Sequence, residues 1–332
     1  MTSKRKAKIS GTGMFVPPKV VTNKDLEVLM DTSDEWIRKR SGIEERRYVE
    51  GVGTADLAFE AAKSALKAAN LSPEDLDLIV VATLSPDHQF PGTSAILQAK
   101  LGLNTTPSMD IKCQCSGFIY SLNVAKLFVE SGQYDKVLVV GAEAHSPILD
   151  FSTEGRDVTV LFGDGAGAAI IEPSSNESEI LNCILHSQGE FADKLNILRP
   201  GTKDGVWLTD EHKEKGEHFP YMEGRYVFKH AVTRLGEVVR ETLEKNSMSI
   251  NDIDHFLFHQ ANLRINESLA KSLGIPSKKW HNNIMKYGNC SAAAIPMLLD
   301  ECVREEKIKK GDNVLMAAFG AGFTWAGSIF KW

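Results

Sequence analysis

The sequence predicts a layered α/β/α/β/α protein built from two similar halves, and three observations lead there. First, the chain repeats itself: Asp75-Leu76-Asp77-Leu78-Ile79-Val80-Val81-Ala82 shares its pattern with Asp252-Ile253-Asp254-His255-Phe256-Leu257-Phe258-His259, 177 positions later. Asp135-Lys136-Val137-Leu138-Val139-Val140-Gly141 and Asp312-Asn313-Val314-Leu315-Met316-Ala317-Ala318 match at the same offset of 177. Second, a stretch of helical character precedes each Asp-x-Asp segment, at 54–70 and at 226–246. The order helix, strand, helix, strand therefore occurs twice. Third, residues 78–81, 137–140 and 314–318 are continuous apolar runs, as expected of strands covered by helices on both faces.

The remaining elements follow in order. Phe118, Ile119, Leu122, Ala125, Phe128 and Val129 have helical spacing and stop near Gly132, which puts Cys115 at a helix N-terminus. The partial positive charge of a helix end favours thiolate over thiol there. A lone cysteine is more often a small buried hydrophobe, so Cys115 needs further support. Gly163-Asp164-Gly165-Ala166-Gly167 resembles a nucleotide loop only superficially. Ala168-Ala169-Ile170-Ile171 continues it as a strand, no Lys-Ser/Thr follows, and close backbone packing explains the glycines better. The halves join in the polar stretch Pro173-Ser174-Ser175-Asn176-Glu177-Ser178, giving units of 1–173 and 174–332. The charged stretch 210–218 reads as a solvated loop.

Composition narrows the function. With 332 residues, 42% hydrophobic and 25% charged, the chain has ordinary globular usage. Its apolar runs are too short for a membrane span. Met1-Thr2-Ser3-Lys4-Arg5-Lys6 is basic, but Ile9-Ser10-Gly11-Thr12-Gly13 follows where a signal peptide would carry its apolar core, so a cytoplasmic protein is expected. A net charge of −6 argues against general nucleic-acid binding. Five cysteines, at 113, 115, 183, 290 and 302, are too few and odd in number for a disulfide framework. Cys113 and Cys115 lack the spacing of a zinc knuckle, so no metal is expected.

The duplication assembles a candidate site. His259 ends its strand where the other half has Ala82, and ligands of open α/β sheets gather at strand carboxyl ends. Cys115 corresponds to Ala292, with Asn289 three positions earlier. If the halves pack about a pseudo-twofold axis, Cys115, His259 and Asn289 meet in one pocket. Separately, His259 would read as a core histidine and Asn289 as a turn residue.

At these segments the chain resembles the β-ketoacyl-acyl-carrier-protein synthase III family of the thiolase superfamily. The resemblance spans Ile9-Ser10-Gly11-Thr12-Gly13, Thr32-Ser33-Asp34-Glu35-Trp36-Ile37, Cys115-Ser116-Gly117-Phe118, Phe162-Gly163-Asp164-Gly165-Ala166-Gly167-Ala168, His259-Gln260-Ala261-Asn262-Leu263-Arg264-Ile265, Tyr287-Gly288-Asn289-Cys290-Ser291-Ala292 and Gly320-Ala321-Gly322-Phe323-Thr324-Trp325. It implies a thiolase-like fold and a Cys-His-Asn triad of Cys115, His259 and Asn289. It also implies decarboxylative condensation of an acyl-CoA with malonyl-acyl carrier protein through an acylated Cys115, with no permanently bound cofactor. Backbone N–H groups of Cys115 and Ala321 would form the oxyanion hole. The family's coenzyme A contacts fall on Trp36, Arg40, Arg156 and Asn262, and its carrier-protein docking positions on Lys229, Arg264 and Lys271. Phe90 matches the residue that caps the acyl pocket of the neighbouring subunit, which implies a homodimer.

Two departures bear on substrate choice. Lys112-Cys113-Gln114 stands where many members carry small residues, and Ala321 replaces a frequent glycine. Related condensing enzymes of quinolone or polyketide metabolism are the alternative within the enzyme class, and a non-catalytic acyl-binding partner subunit is the alternative outside it. A degradative thiolase would need a second catalytic cysteine near Gly320-Ala321-Gly322-Phe323, and a hydroxymethylglutaryl-type synthase a catalytic glutamate.

Overall fold

Aliphatic and β-branched runs alternate with Ala- and Leu-rich helical stretches along the whole computed structural model, which describes residues 5–332. Residues 1–4 of the basic amino-terminal stretch lie outside the described residues. β1 (Ala7–Phe15) precedes the pair β2 (Lys19–Thr22) and β3 (Glu45–Tyr48), with α1 (Asn23–Glu27) and α2 (Asp34–Ser41) between them. Next come α3 (Thr54–Ala69), β4 (Leu78–Ala82), α4 (Thr93–Lys100), β5 (Ser108–Ile111), α5 (Gly117–Ser131), β6 (Val137–Glu143), α6 (Arg156–Thr159) and β7 (Gly165–Pro173). The chain continues through β8 (Glu179–Ser187), β9 (Leu195–Asn196), α7 (Asp210–Glu214), β10 (Tyr221–Met222), α8 (Gly224–Lys245) and β11 (His255–Phe258). It ends with α9 (Leu263–Leu273), α10 (Ile284–Tyr287), α11 (Ala294–Arg304), β12 (Asn313–Gly320) and β13 (Thr324–Lys331).

Two large sheets have corresponding strand orders, β1-β7-β6-β4-β5 and β8-β13-β12-β11. β4 pairs in parallel with β5 and β6, and β11 in parallel with β12. The second sheet lacks a full fifth strand. Where Ile79 of β4 pairs with Ser108, the equivalent Phe256 has one isolated parallel bridge to Trp280.

The repeated Asp-x-Asp pattern has a structural cause. Asp75 and Asp252 each accept a hydrogen bond at 2.8 Å from a serine N–H three residues earlier, closing a short 3-10 turn. Asp77 and Asp254 each accept at 2.9 Å from the backbone of the neighbouring parallel strand, at Lys136 and Asn313. The first acid caps the turn before the strand, and the second sets the register of the strand beside it.

The layers are those expected. α5 and α11 lie between the sheets, with Phe118, Leu122 and Val129 of one and Ile295, Leu298 and Leu299 of the other buried in a core shared by both sheets. α3 and α4 cover the outer face of the first sheet. α8 and α9 cover the second. Each buried leucine or isoleucine here contributes about 1.5–3 kcal/mol relative to exposure.

One local expectation is corrected. Residues 210–214 form α7 rather than a loop, because the Thr209 side chain accepts from His212 N–H at 3.2 Å while the His212 ring accepts from Thr209 N–H at 3.1 Å. Among the described residues no helix is long and apolar enough to cross a membrane, and no group of three or more His, Cys, Asp or Glu residues could hold a metal ion. All five cysteines are free.

Candidate active site

Cys115 stands in a 3-10 turn, Gln114–Ser116, that runs directly into α5. Ser291–Ala293 makes the same turn before α11. The first residues of the two turns, Gln114 and Ser291, have φ of +42° and +43°, a left-handed conformation that a non-glycine residue keeps only when its surroundings hold it. α5 continues along its buried stripe to Gly132, whose φ of +77° closes the helix.

His259 follows β11 immediately, and its N–H donates to the Ala317 carbonyl at 2.9 Å. Asn289 is anchored on the connection between α6 and β7. Its N–H donates to Leu161 O at 2.8 Å, and its carbonyl accepts from Gly163 N–H at 3.2 Å. Gly163 must be glycine for this approach, since a Cβ there would lie 2.1 Å from Tyr287 O. Gly167 is constrained in the same way by the Met297 nitrogen, 2.6 Å from where its Cβ would stand. Close packing therefore accounts for the glycine-rich run.

Cys115, His259 and Asn289 line one cavity of about 100 Å³. Gly320 and Phe162 border it, and Val227 and Phe228 of α8 form part of an apolar wall. Gly320 leaves the Cys115 amide accessible, because a Cβ there would stand 2.9 Å from Cys115 N.

The ionisation of the site is set by burial. His259 is 2% exposed, and neither ring nitrogen has a hydrogen-bond partner. Burial, with a smaller contribution from His145, pushes its pKa down to about 3, so the ring is neutral at physiological pH and presents one N–H and one lone pair. Asn289 Oδ1 accepts from Ser291 N–H at 2.8 Å, which leaves the amide N–H₂ as its donor group. The expected thiolate at Cys115 is corrected. Burial pushes this thiol up to about 12, the Glu143 carboxylate adds to the rise, and the nearby Ser291 hydroxyl opposes it without making a hydrogen bond of normal geometry. The side chain keeps partial solvent exposure, yet desolvation is the largest influence on it, and it favours the thiol.

The other anticipated residues are placed as follows. Ala321 is partly exposed and does not border the cavity; its carbonyl accepts from Thr324 Oγ1 at 3.2 Å. Asn262 lines the cavity, caps α9 and donates to Arg40 O at 2.9 Å. The guanidinium carbons of Arg40 and Arg156 lie 4.8 and 5.3 Å from the centre of the Trp36 ring, so these four residues form one connected group. Arg264 lies 5.8 Å from the ring centre of Phe228, a cavity residue, and exposed Lys229 is its neighbour in α8. Lys271 is exposed in the last turn of α9, about 10 Å of helix beyond Arg264. Phe90 is 87% exposed. Sequence reasoning missed Ser291, Glu143 and His145. The 177-residue offset, which maps Gln114 onto Ser291 and Glu143 onto Gly320, was the available signal for the first two.

The family description "3-Oxoacyl-[acyl-carrier-protein (ACP)] synthase III" matches residues 109–189, and its C-terminal counterpart matches 243–332. A curated β-ketoacyl-[acyl-carrier-protein] synthase III from Caldanaerobacter subterraneus subsp. tengcongensis is 46% identical over 333 residues, covering 100% of this chain and 99% of that protein. The chain belongs to the β-ketoacyl-acyl-carrier-protein synthase III family. By that membership it is a condensing acyltransferase. Among solved members of this synthase III fold, the Aquifex aeolicus VF5 3-oxoacyl-[acyl-carrier-protein] synthase III has a TM-score of 0.90 at 43% identity, covering 98% of this chain and 100% of that one. The priming β-ketosynthase of the R1128 polyketide biosynthetic pathway also has a TM-score of 0.90, at 31% identity, covering 100% and 98%.

Proposed function

We propose that this synthase III condenses an acyl-CoA primer with malonyl-acyl carrier protein, using Cys115 as nucleophile and His259 and Asn289 as donors to the malonyl group. The observation that carries the reading is the shared cavity, in which an unpaired neutral imidazole and an available amide N–H₂ face the same space as the thiol. In the first step Cys115 Sγ attacks the acyl carbonyl carbon and the C–S bond to coenzyme A breaks. The thiol proton passes through the lone pair of His259 to the departing coenzyme A sulfur. The new thioester resembles the old one in energy, so the acyl group stays transferable. The backbone N–H of Cys115 faces the developing oxyanion beside Gly320, and that of Ala321 is the second candidate donor.

In the second step the malonyl carboxylate leaves as carbon dioxide and its electron pair forms an enolate, whose oxygen accepts hydrogen bonds from His259 and Asn289. The enolate carbon attacks acyl-Cys115 and expels the thiolate, which takes a proton from solvent. The products are a 3-oxoacyl-acyl carrier protein and carbon dioxide. No step calls for a resident cofactor or metal; acyl-CoA is a substrate.

The linked group Trp36, Arg40, Arg156 and Asn262 supports coenzyme A binding, since an indole beside guanidinium groups suits a purine. Arg264 and Lys229 beside Phe228, with Lys271 further along α9, would dock the acidic carrier protein. Exposed Phe90 would cap the acyl pocket of a second copy in a homodimer. Strands confined to residues 7–173 in one sheet and 179–331 in the other support two duplicated halves meeting near 173–178, and the proposed site of action is the cytoplasm. The higher identity to the curated synthase III (46%) than to the polyketide priming enzyme (31%) supports initiation of fatty-acid synthesis.

Intact mass spectrometry with short, branched and long acyl-CoAs tests the reading. One donor should add its acyl mass, and Cys115→Ala should abolish the adduct. No adduct from any donor would overturn it.

A further inference from the structure

Translation by 177 residues maps Cys115 onto Ala292 and Glu143 onto Gly320. In one half Gly320 lies against the Cys115 amide and leaves it open. In the other half a carboxylate fills the corresponding space, because Ala292 N–H donates to Glu143 Oε1 at 3.4 Å. The same backbone arrangement thus occurs twice, once vacant for a substrate oxygen and once filled by the chain's own anion.

Glu143 is wholly buried, with 0% exposure. It accepts from the Thr83 hydroxyl at 3.1 Å, from Leu84 N–H at 3.1 and 3.2 Å, from Ser85 N–H at 3.1 Å and from the Ser85 hydroxyl at 2.6 Å. Among the described residues no lysine or arginine pairs with it. Its nearest basic group is His145 Nε2 at 3.9 Å. A buried carboxylate held this way is costly to keep unless its position matters. The turn it holds is strained at Ser291, whose N–H donates to the Asn289 side chain.

We propose that Glu143 is a positioning residue for decarboxylation: by occupying the mirror image of the oxyanion site it anchors the Ser291–Ala292 turn and so aims the Asn289 amide at the malonyl oxygen. This rests on the condensing mechanism given above. It separates the two half-reactions, because Asn289 acts as a donor in the decarboxylation step, whereas acyl transfer uses the Cys115 thiol and its own amide.

The test uses full-length protein and three readouts: acyl adduct formation at Cys115, carbon dioxide release from malonyl-acyl carrier protein, and the pH dependence of Cys115 alkylation by iodoacetamide. In Glu143→Gln, decarboxylation should fall by about tenfold to a hundredfold, the range expected from a displaced reacting group. Adduct formation should persist, and alkylation should move to lower pH because the carboxylate opposing the thiolate has lost its charge. Ser85→Ala, which removes the shortest bond to Glu143 and keeps the carboxylate, should lower decarboxylation in the same direction by less, and it decides the matter if Glu143→Gln does not fold. Equal loss of both half-reactions, or unchanged decarboxylation, would overturn the proposal. A wild-type protein that neither acylates nor decarboxylates would instead overturn the mechanism on which it rests.

Discussion

At neutral pH an undissociated thiol and a neutral imidazole share the cavity, and this pairing gives the site a particular response to acid and base. His259 titrates near 3, so lowering the pH from 8 to 5 should produce no fall in acyl transfer through this residue. Alkylation of Cys115 should keep rising with pH toward about 12; a plateau below pH 8 would contradict that. Asn289→Ala should slow decarboxylation about a hundredfold or more, the scale of losing one oxyanion donor, while the acyl adduct on Cys115 still forms. Gly320→Ala should block adduct formation itself, since its Cβ would stand 2.9 Å from the Cys115 amide. That Cys115, His259 and Asn289 share a cavity was legible, because the offset of 177 put their segments at corresponding places in the two halves. The state of the thiol was not legible. Charge at a helix end is a local property that sequence shows, whereas desolvation depends on which distant segments close over the sulfur. Arg156 lies far from Trp36 and Arg40 in the chain, so only the family resemblance, and no local pattern, set it beside them.

The elements that matter most are the paired turns before α5 and α11. Their likeness extends to the left-handed residue that opens each turn, so they are one device used twice with different side chains. Gly141 shows how tightly they fit. A Cβ there would lie 2.2 Å from Ala292 O, so Gly141→Ala should cost about 1–3 kcal/mol or more in denaturant unfolding, as overpacked cores do. The apolar strands and the helices at 54–70 and 226–246 were readable because burial imposes their patterns. α7 was not, because its exposed charged residues carry no apolar period and its capping pair uses His212, an unusual partner.

For the whole molecule, burial of a neutral imidazole ties stability to pH. The folded pKa of His259 is depressed, so below about 6.5 the unfolded chain takes up a proton that the folded one refuses. Stability is therefore full above that pH and is lost as pH falls, by about 2 kcal/mol at pH 5 from this group alone. Urea unfolding at pH 7 and pH 5 should show this loss in the wild type and a smaller one in His259→Asn. Both sheets and the five layers were legible from the duplication, but the missing fifth strand was not, since a single bridge at Trp280 leaves no strand-like run.

That truncated edge gives the two principal groups unequal footing. Cys115 begins a helix gripped on both sides by sheets, whereas His259 hangs from a marginal strand whose outer neighbour is one bridge. Amides of β11 should accordingly exchange with deuterated solvent sooner than those of α5. Slower exchange in β11 than in α5 would show instead that pairing with β12 and burial alone hold the segment that carries the imidazole.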